Sequence, residues 1–348
     1  MISLERKRSE RSRKPFLLML VDMGGYMPSE RTTKVLGSIL SALAVSTRET
    51  DVTGWYRHYS VVGVMFTEIG LDDQASALGT MITRVSETLK STLSSEQFNQ
   101  VNLSFHLFPE DWNHENEKPP TNPMLYPDLE KRDESRKVHN AVKRAMDIGG
   151  GLFALIVFSP LWLAIAVAIK LTSKGPVFFR QRRIGQNGAS FTLLKFRSMR
   201  VGNDHSTHKE YVRKLIAGKA ELHPSDGNGG GVYKITKDSR ITTVGAFLRR
   251  TSLDEMPQFI NVLLGEMSLV GPRPPVPYEV EAYELWHRRR LLEVKPGITG
   301  LWQVSGRSRV KFDDMVRLDL QYAQNWSPWL DLKIILRTPA AMIGDGAY

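Results

Sequence analysis

Two adjacent carboxylates, Asp254 and Glu255, are the residues of this 348-residue chain whose types and setting most strongly indicate chemistry. Pro257 follows them, and proline is tolerated in a first helical turn, so the pair is predicted to lie at a helix N-terminus. Backbone N–H groups and the positive end of the helix dipole meet there, which favours binding of a phosphate group. Arg249 and Arg250 precede the pair and add cationic groups to the same stretch.

A structural interpretation of the same residues competes with the chemical one. Ser252 and Glu255 fit the S-x-x-E capping box, in which the two side chains satisfy free backbone N–H groups of a helix. Adjacent carboxylates are common, and spacing alone favours the cap. The surrounding arginines, with Arg273 between two prolines, favour the phosphate interpretation instead. These residues by themselves do not decide between the two interpretations.

An uncharged segment of 22 residues, Ile148–Ile169, lies upstream of the carboxylates. Its length matches the apolar thickness of a membrane. Ser159 and Pro160 stand in its middle. Proline removes a backbone donor and collides with the carbonyl four residues earlier, so a helix must kink or break there. Ser159 is well placed to bond a freed carbonyl, because hydrocarbon offers no other partner.

The charges on both sides of this segment predict its topology. Residues 131–147 carry six Lys and Arg against three acids, and residues 170–183 carry five with no acid. Cationic flanks prefer the cytoplasmic side of a membrane, so both ends are predicted to share that side. Each half would span roughly 16 Å of helix, too short for a hydrocarbon core of about 30 Å. A re-entrant hairpin over residues 148–169 is therefore predicted, with a kinked span and a buried core helix as alternatives.

The first 118 residues are predicted to form a soluble α+β domain of the ferredoxin-like type, because the order is strand, helix, hairpin, helix, strand. Apolar runs indicate the strands and periodic stretches indicate the helices: Phe16–Val21, Ser60–Phe66, Val101–Phe108, 32–46 and 73–91. Residues 119–135 contain four prolines and are predicted to be a linker. Residues 136–348 are predicted to form a second, mainly helical domain.

Charge and cysteine content restrict the classes of function. Residues 1–130 hold 13 Lys and Arg against 17 Asp and Glu, whereas the remainder holds 34 against 20. The cationic half suits nucleic acid, an anionic membrane surface or phosphorylated substrates. A nucleic-acid binder would leave the uncharged segment unexplained, so no nucleic-acid partner is expected. The absence of cysteine excludes disulfides, thiolate metal sites and cysteine nucleophiles.

Residues 136–348 resemble the bacterial sugar transferase family, the monotopic polyprenyl phosphoglycosyl transferases. The resemblance runs in order through Ser159-Pro160, KFRSM, LRRTSLDEMPQ, GEMSLVGPRP, KPGITGLWQVSGR and WLDLKII. It implies a membrane domain whose re-entrant helix-break-helix hairpin enters and leaves on the cytoplasmic face of the bacterial inner membrane.

The resemblance also implies a two-step reaction. Asp254 would attack the sugar-linked phosphorus of a UDP-sugar, releasing UMP, and the phosphosugar would then pass to polyprenyl (undecaprenyl) phosphate. This is the first step of exopolysaccharide, O-antigen or glycoconjugate assembly, and the resemblance favours a hexose such as glucose or galactose. Glu255 is implied as the Mg²⁺ contact. The other positions implied to bind substrate or phosphate are Lys195, Arg249, Arg273 and Asp331.

Each of these positions also has a purely structural interpretation. Lys195 could be a solvated strand residue, Arg249 could merely end the preceding helix, and Asp331 could cap a helix that starts near Leu332. Several aromatic residues are compatible either with the headgroup level of a membrane or with core packing. They are Trp302, Tyr322, Trp326 and Trp329.

The N-terminal half departs from larger family members, which carry four transmembrane helices and a nucleotide-fold domain. It resembles a degenerate GGDEF or nucleotide-cyclase domain in residues 17–26 and 48–66. Trp55-Tyr56-Arg57-His58-Tyr59 replaces the signature hairpin and its metal-binding acid, although Asp22 ends the first strand. The domain is interpreted as regulatory, partner-binding or self-associating, and the last role would give a homodimer. A nucleotide-responsive membrane regulator with an inactive transferase fold is the alternative function.

Overall fold

The structure is a computed structural model that describes residues 1–23, 30–67, 69, 74–110, 122–128, 137–200, 206–219, 223–224, 231–232, 240–306 and 310–344. These residues form two compact units. Residues within Met1–Asp111 and Asn122–Lys131 belong to the first unit, and residues within Arg132–Tyr348 belong to the second. Helices and strands occur in both units, which confirms the predicted α+β class.

The first unit is built on one four-stranded antiparallel sheet with strand order β2-β3-β1-β4. Its elements are α1 Ile2–Ser12, β1 Phe16–Asp22, α2 Glu30–Ser46, β2 Val52–Arg57, β3 Val61–Phe66, α3 Gln74–Thr92, α4 Ser95–Asn99 and β4 Asn102–Phe108. Alternate residues of β1, such as Leu17 and Met19, pack against apolar side chains of α2 and α3 in the core. The three strands and two helices predicted from periodicity are confirmed, with bounds that shift by one or two residues.

Helix α1 was not predicted, because the residues that it buries are polar. Arg6 and Ser9 are buried, so the helix has no apolar stripe that periodicity could detect. Arg6 donates to the carbonyl of Leu125 at 2.8 Å and to both carboxylate oxygens of Asp128 at 2.6 and 2.7 Å. Residues 122–128, which lie inside the predicted linker 119–135, are therefore an ordered part of the first unit; the rest of that stretch lies outside the described residues.

The second unit is mainly helical, with small two-stranded sheets. Its helices are α5 Lys137–Val157, α6 Ser159–Thr172, α7 Ser206–Ile216, α8 Thr243–Arg250, α9 Gln258–Leu264, α10 Pro277–Glu281, α11 Leu285–Glu293, α12 Leu301–Ser305, α13 Phe312–Gln324 and α14 Pro328–Gly344. Its strands are β5 Phe178–Ile184, β6 Ser190–Phe196, β7 His223–Pro224, β8 Gly231–Val232, β9 Ser268–Val270 and β10 Gly297–Thr299.

Helices α5 and α6 are separated by one residue, Phe158, and meet at a bend of 61°. Pro160 lies in the first turn of α6, and the Ser159 hydroxyl donates to the carbonyl of Ile156 at 2.8 Å. The predicted break and the predicted serine contact are both present. No single helix among the described residues is long and apolar enough to cross a membrane, but α5 and α6 taken together have the necessary length and composition.

A close approach of two backbone segments fixes the centre of the second unit. Strands β9 and β10 pair in parallel, and Gly271 and Gly297 touch where the chain leaves β9 and enters β10. A Cβ on Gly297 would lie 2.0 Å from the backbone nitrogen of Gly271. A Cβ on Gly300 would lie 2.4 Å from the carbonyl oxygen of Gly271. Gly297 and Gly300 of the KPGITG motif therefore allow two backbone segments to pack in direct contact.

Candidate active site

Asp254 and Glu255 lie in a single 3-10 turn, Leu253–Glu255, between α8 and α9. Met256 follows the pair, and Pro257 is the N-cap residue of α9, so the predicted proline lies one position before the first turn of that helix and not inside it. The capping box is wrong, because Ser252 adopts a left-handed conformation (φ 54°) and its side chain makes no cap hydrogen bond. The carboxylate pair therefore lies in the turn before α9, whose first residue is Gln258.

Lys195 reaches Glu255 from a different part of the fold. It occupies the penultimate position of β6, and its Nζ donates to Oε1 of Glu255 at 2.7 Å. The contact joins residues 60 positions apart in the sequence. Lys195 is therefore a contact of the carboxylate pair and not a solvated strand residue.

The two adjacent carboxylates have different acidities. Burial raises the pKa of Asp254, which is 9% exposed, to about 6; the charge on Glu255 adds to this shift, whereas Lys195 and Arg249 oppose it. Burial by itself would also raise the pKa of Glu255. The charge and hydrogen bond of Lys195, together with the charge of Arg273, outweigh burial, so the pKa of Glu255 is lowered. A buried carboxylate of raised pKa thus stands beside one that is firmly ionised.

Arg249 and Arg273 are brought into the electrostatic environment of this pair. Arg249 lies in the last turn of α8, and its charge acts to lower the pKa of Asp254. Arg273 follows β9, and its charge acts to lower the pKa of Glu255. Arg273 is exposed between buried neighbours. Three of the four predicted binding residues, Lys195, Arg249 and Arg273, therefore lie around the two carboxylates. Three cationic side chains in one place suit an anionic phosphate ligand.

Asp331, the fourth predicted binding residue, lies in a separate buried cluster. Its carboxylate accepts hydrogen bonds from Lys143 at 2.5 Å, from Tyr322 at 2.7 Å and from Trp326 at 3.1 Å. These contacts connect α5, α13 and α14, and the Asp331 side chain is only 2% exposed. The capping alternative is also wrong, because α14 begins at Pro328, three residues earlier.

The aromatic residues that sequence left undecided divide between core and surface. Tyr322 and Trp302 are buried, and Trp326 donates to Asp331. Trp329 is 70% exposed. Core packing therefore accounts for the first three, and only Trp329 is placed where a headgroup contact could form.

Arg183 is a neighbour of the site for which sequence reasoning gave no role. It is buried on β5, and its Nη1 donates to the carbonyl of Pro274 at 2.8 Å. Burial, together with the like charge of Arg273, lowers its pKa to about 10, whereas Glu279 and Glu255 act in the opposite direction. An arginine in a strand gives no local signal of burial, so its contacts could only be seen in the fold.

The bent helix pair packs directly behind the carboxylates. Ile165 and Ile169 of α6 share one apolar cluster with Phe196, Leu248 and Met256. Phe196 follows Lys195, and Met256 follows Glu255. Ser159 and Pro160 themselves lie at the exposed break of the hairpin, so they shape the helix pair rather than the site.

The carboxylates also define where a magnesium ion could bind. Among the described residues, no group of three or more His, Asp or Glu side chains could hold a metal ion alone. Mg²⁺ commonly takes one or two carboxylates and completes its shell with water and substrate phosphates. Glu255 beside Asp254 offers oxygens of this kind, so the residues present fit the predicted ion.

Known proteins resemble a large part of this chain. Three relatives are a galactosyl transferase of Streptococcus agalactiae, CpsE (44% identical over 211 residues), an exopolysaccharide production protein of Rhizobium meliloti, ExoY (42% over 214 residues), and a UDP-glucose:undecaprenyl-phosphate glucose-1-phosphate transferase of Xanthomonas campestris (43% over 204 residues). The matches cover 60%, 61% and 56% of this chain, and 44%, 91% and 37% of the respective relatives. The chain thus spans less than half the length of two of them.

The sequence pattern of the bacterial sugar transferase family matches residues 138–345. This range contains the bent helix pair, both carboxylates and all the basic residues around them, and it leaves the first unit outside. Because the range is more than half of the sequence, the chain belongs to the bacterial sugar transferase family.

Proposed function

We propose that this protein transfers a sugar 1-phosphate from a UDP-sugar to undecaprenyl phosphate, the first step in assembly of an exopolysaccharide, O-antigen or related glycoconjugate. The relative from Xanthomonas campestris is named for this reaction with glucose, and the one from Streptococcus agalactiae for galactose transfer. The observation that carries the proposal is the buried Asp254 beside an ionised, lysine-bound Glu255, backed by a bent apolar helix pair.

Asp254 serves as the nucleophile in the first half of the reaction. Its carboxylate oxygen forms a bond to the sugar-linked phosphorus, and the bond from that phosphorus to the bridging oxygen breaks, so that UMP leaves with the electron pair. In the second half, a phosphate oxygen of undecaprenyl phosphate attacks the same phosphorus. The Asp254 carboxylate is then regenerated and a diphosphate-linked sugar is formed.

Cationic side chains make this attack electrostatically feasible. A carboxylate that approaches a diphosphate is repelled, and Lys195, Arg249 and Arg273 offset that repulsion. Arginine suits bidentate contacts to phosphate oxygens. A bound Mg²⁺ would supply further charge neutralisation at the phosphoryl oxygens, and Glu255 is the residue proposed to hold it.

The bent helix pair gives the lipid substrate a route to the site. We infer that α5 and α6 form a re-entrant hairpin on the cytoplasmic face of the bacterial inner membrane, since both flanks are cationic and neither helix can span alone. Phe153 and Leu163 are exposed on this pair, as expected of side chains that face lipid. The undecaprenyl chain would reach Asp254 laterally from the bilayer.

The first unit is assigned a supporting role. Its strand order β2-β3-β1-β4, with helices after β1 and β3, supports a ferredoxin-like domain. Asp22 ends β1, and Trp55 to Arg57 end β2 without the acid of a cyclase hairpin. We propose a regulatory, partner-binding or self-associating domain. The alternative of an inactive, nucleotide-responsive regulator is disfavoured by the intact Asp254 and Glu255.

The test is release of UMP from a panel of UDP-sugars in the presence of undecaprenyl phosphate. We expect turnover with UDP-glucose or UDP-galactose in preference to N-acetylated donors, a requirement for Mg²⁺, and loss of turnover in Asp254→Asn. Full activity of Asp254→Asn would exclude the covalent mechanism. Absence of UMP release with every donor, in a protein that still binds nucleotide, would favour the regulator.

A further inference from the structure

The loop that carries Arg273 is held at every backbone carbonyl from Pro272 to Pro275. The Pro272 carbonyl accepts a hydrogen bond from Gly297 N at 2.8 Å, and the Arg273 carbonyl accepts one from Arg290 Nη2 at 2.9 Å. The Pro274 carbonyl accepts one from Arg183 Nη1 at 2.8 Å, and the Pro275 carbonyl accepts one from Ile184 N at 2.9 Å. Two donors are backbone groups and two are arginine side chains. The loop therefore has four separate anchors over four residues.

The sequence of the loop adds a second constraint. Pro272, Pro274 and Pro275 have fixed φ angles, and Pro274 also disfavours the helical conformation for the residue before it. These three prolines are buried, whereas Arg273 is exposed. A rigid, buried segment thus presents a single cationic side chain.

Arg290 is the anchor that connects the loop to a second buried charge. It lies on α11 and is 4% exposed, so it cannot contact a substrate directly. Its guanidinium also pairs with Asp319 on α13 at 3.0 Å, and Asp319 is 1% exposed. The pair joins two helices behind the loop, with the guanidinium between the Asp319 carboxylate and the Arg273 carbonyl.

We propose that Arg290, held by Asp319, is a positioning residue for Arg273: it fixes the peptide group that follows Arg273 and so sets the direction in which the Arg273 side chain meets the anionic substrate. A buried ion pair adds little net stability compared with apolar residues of similar volume. Orientation of a catalytic side chain is a role for which the specific geometry of Arg290 is needed. The inference rests on the function proposed above for Arg273.

The loss of such an anchor should act on catalysis through misplacement. Without Arg290 the Arg273 carbonyl is left without its donor, and the peptide group can rotate. A shift of about 1 Å in a group that stabilises the transition state can reduce the rate by about a hundredfold. We expect Arg290→Gln to reduce kcat/KM for the UDP-sugar by at least about tenfold, with kcat affected more than KM.

A double-mutant cycle with Arg273→Ala tests the proposal in the full-length protein. If Arg290 acts through Arg273, Arg290→Gln should change kcat/KM by less than about twofold once Arg273 is absent. The decrease in Tm caused by Arg290→Gln should be the same in both backgrounds. Arg289→Gln, a change of the neighbouring residue on α11, is the matched control and should leave kcat/KM near the wild-type value.

Equal losses of kcat/KM in the two backgrounds would overturn the inference and show that Arg290 is merely structural, while the proposed function would stand. No effect of Arg273→Ala on turnover would remove the proposed role of Arg273 and the inference with it. If Arg290→Gln does not fold, Arg290→Lys retains the charge beside Asp319. That variant should show a smaller loss that again vanishes in the Arg273→Ala background, and a loss that persists there would contradict the proposal.

Discussion

Lys195 forms its 2.7 Å ion pair with Glu255 and not with Asp254, although the two acids are adjacent in sequence. The lysine keeps Glu255 ionised, and Asp254 remains buried with a raised pKa. Two carboxylates whose acidities are pushed apart by their environments generally have different tasks in an active site. The pairing therefore supports Glu255 as the cation-holding residue and Asp254 as the nucleophile.

The raised pKa of Asp254 predicts a pH dependence of the first half-reaction. The carboxyl must be ionised to attack, so kcat/KM for the UDP-sugar should fall as pH decreases through about 6 and level off above it. A divalent cation beside Glu255 stabilises the ionised form, so saturating Mg²⁺ should move the inflection to lower pH. The measurement is the initial rate of UMP release between pH 5 and about 8 at low and high Mg²⁺. A rate that is flat over this range at low Mg²⁺ would contradict the assignment.

Glu255→Gln should separate metal binding from nucleophilic attack. The amide keeps the size of the side chain but loses the charge that would hold Mg²⁺. We expect the Mg²⁺ concentration for half-maximal activity to rise by at least about tenfold, as read from a titration of UMP release. Glu281→Gln, at an exposed position of α10, is the control and should leave the titration unchanged. An unaltered Mg²⁺ requirement in Glu255→Gln would assign the metal to other residues.

Gly297→Ala should destabilise the second unit, because its Cβ would lie 2.0 Å from the backbone nitrogen of Gly271 and backbone cannot move aside as a side chain can. We expect a loss of about 3 kcal/mol or more in the free energy of unfolding. The matched change is Gly149→Ala in α5, where a Cβ meets nothing within 4 Å. That variant should be neutral or stabilised by up to about 1 kcal/mol. Thermal or denaturant unfolding compares the two, and equal stabilities would show that the backbones at Gly271 and Gly297 are not in contact.

The hairpin predicts that both ends of the α5–α6 pair face the cytoplasm. The chain contains no cysteine, so Lys137→Cys and Lys174→Cys introduce unique labelling sites at the two ends. Both should react with a membrane-impermeant thiol reagent from the same side. Pro160→Ala restores a backbone donor and permits a straight helix, so in that background the label at position 174 should appear partly on the opposite side. If the two sites react from opposite sides in the protein that retains Pro160, the helix pair crosses the membrane and is not a re-entrant hairpin.

Local patterns predicted the elements of this protein better than the contacts between them. The strand at Phe16 and the break before Ser159 follow from apolar runs and proline chemistry, which act within a few residues. The capping box failed at Ser252 because Glu255 pairs with Lys195, 60 residues away, and no local pattern reports such a contact. The family resemblance implies only that Lys195 binds substrate or phosphate, and its contact with Glu255 is seen in the fold.

Buried charges were the main features that sequence reasoning missed. Arginines are usually exposed to solvent, so the sequence gives no indication that Arg183 and Arg290 are buried. Only the fold shows that their guanidinium groups donate to carbonyls of one loop. The carboxylate of Asp331, a predicted substrate- or phosphate-binding residue, accepts hydrogen bonds from Lys143 and from two aromatic residues, which no local pattern indicates. Long side chains reach partners on distant elements, so their role depends on tertiary geometry.

The most direct test of the central claim is peptide mass spectrometry of the protein after incubation with a UDP-sugar and Mg²⁺, in the absence of undecaprenyl phosphate. The account predicts a phosphosugar adduct on Asp254, formed together with an equal amount of UMP and discharged when the lipid phosphate is added. The adduct should be absent from Asp254→Asn. An adduct on another residue, or UMP release that occurs only when the lipid acceptor is present and leaves no adduct, would contradict it.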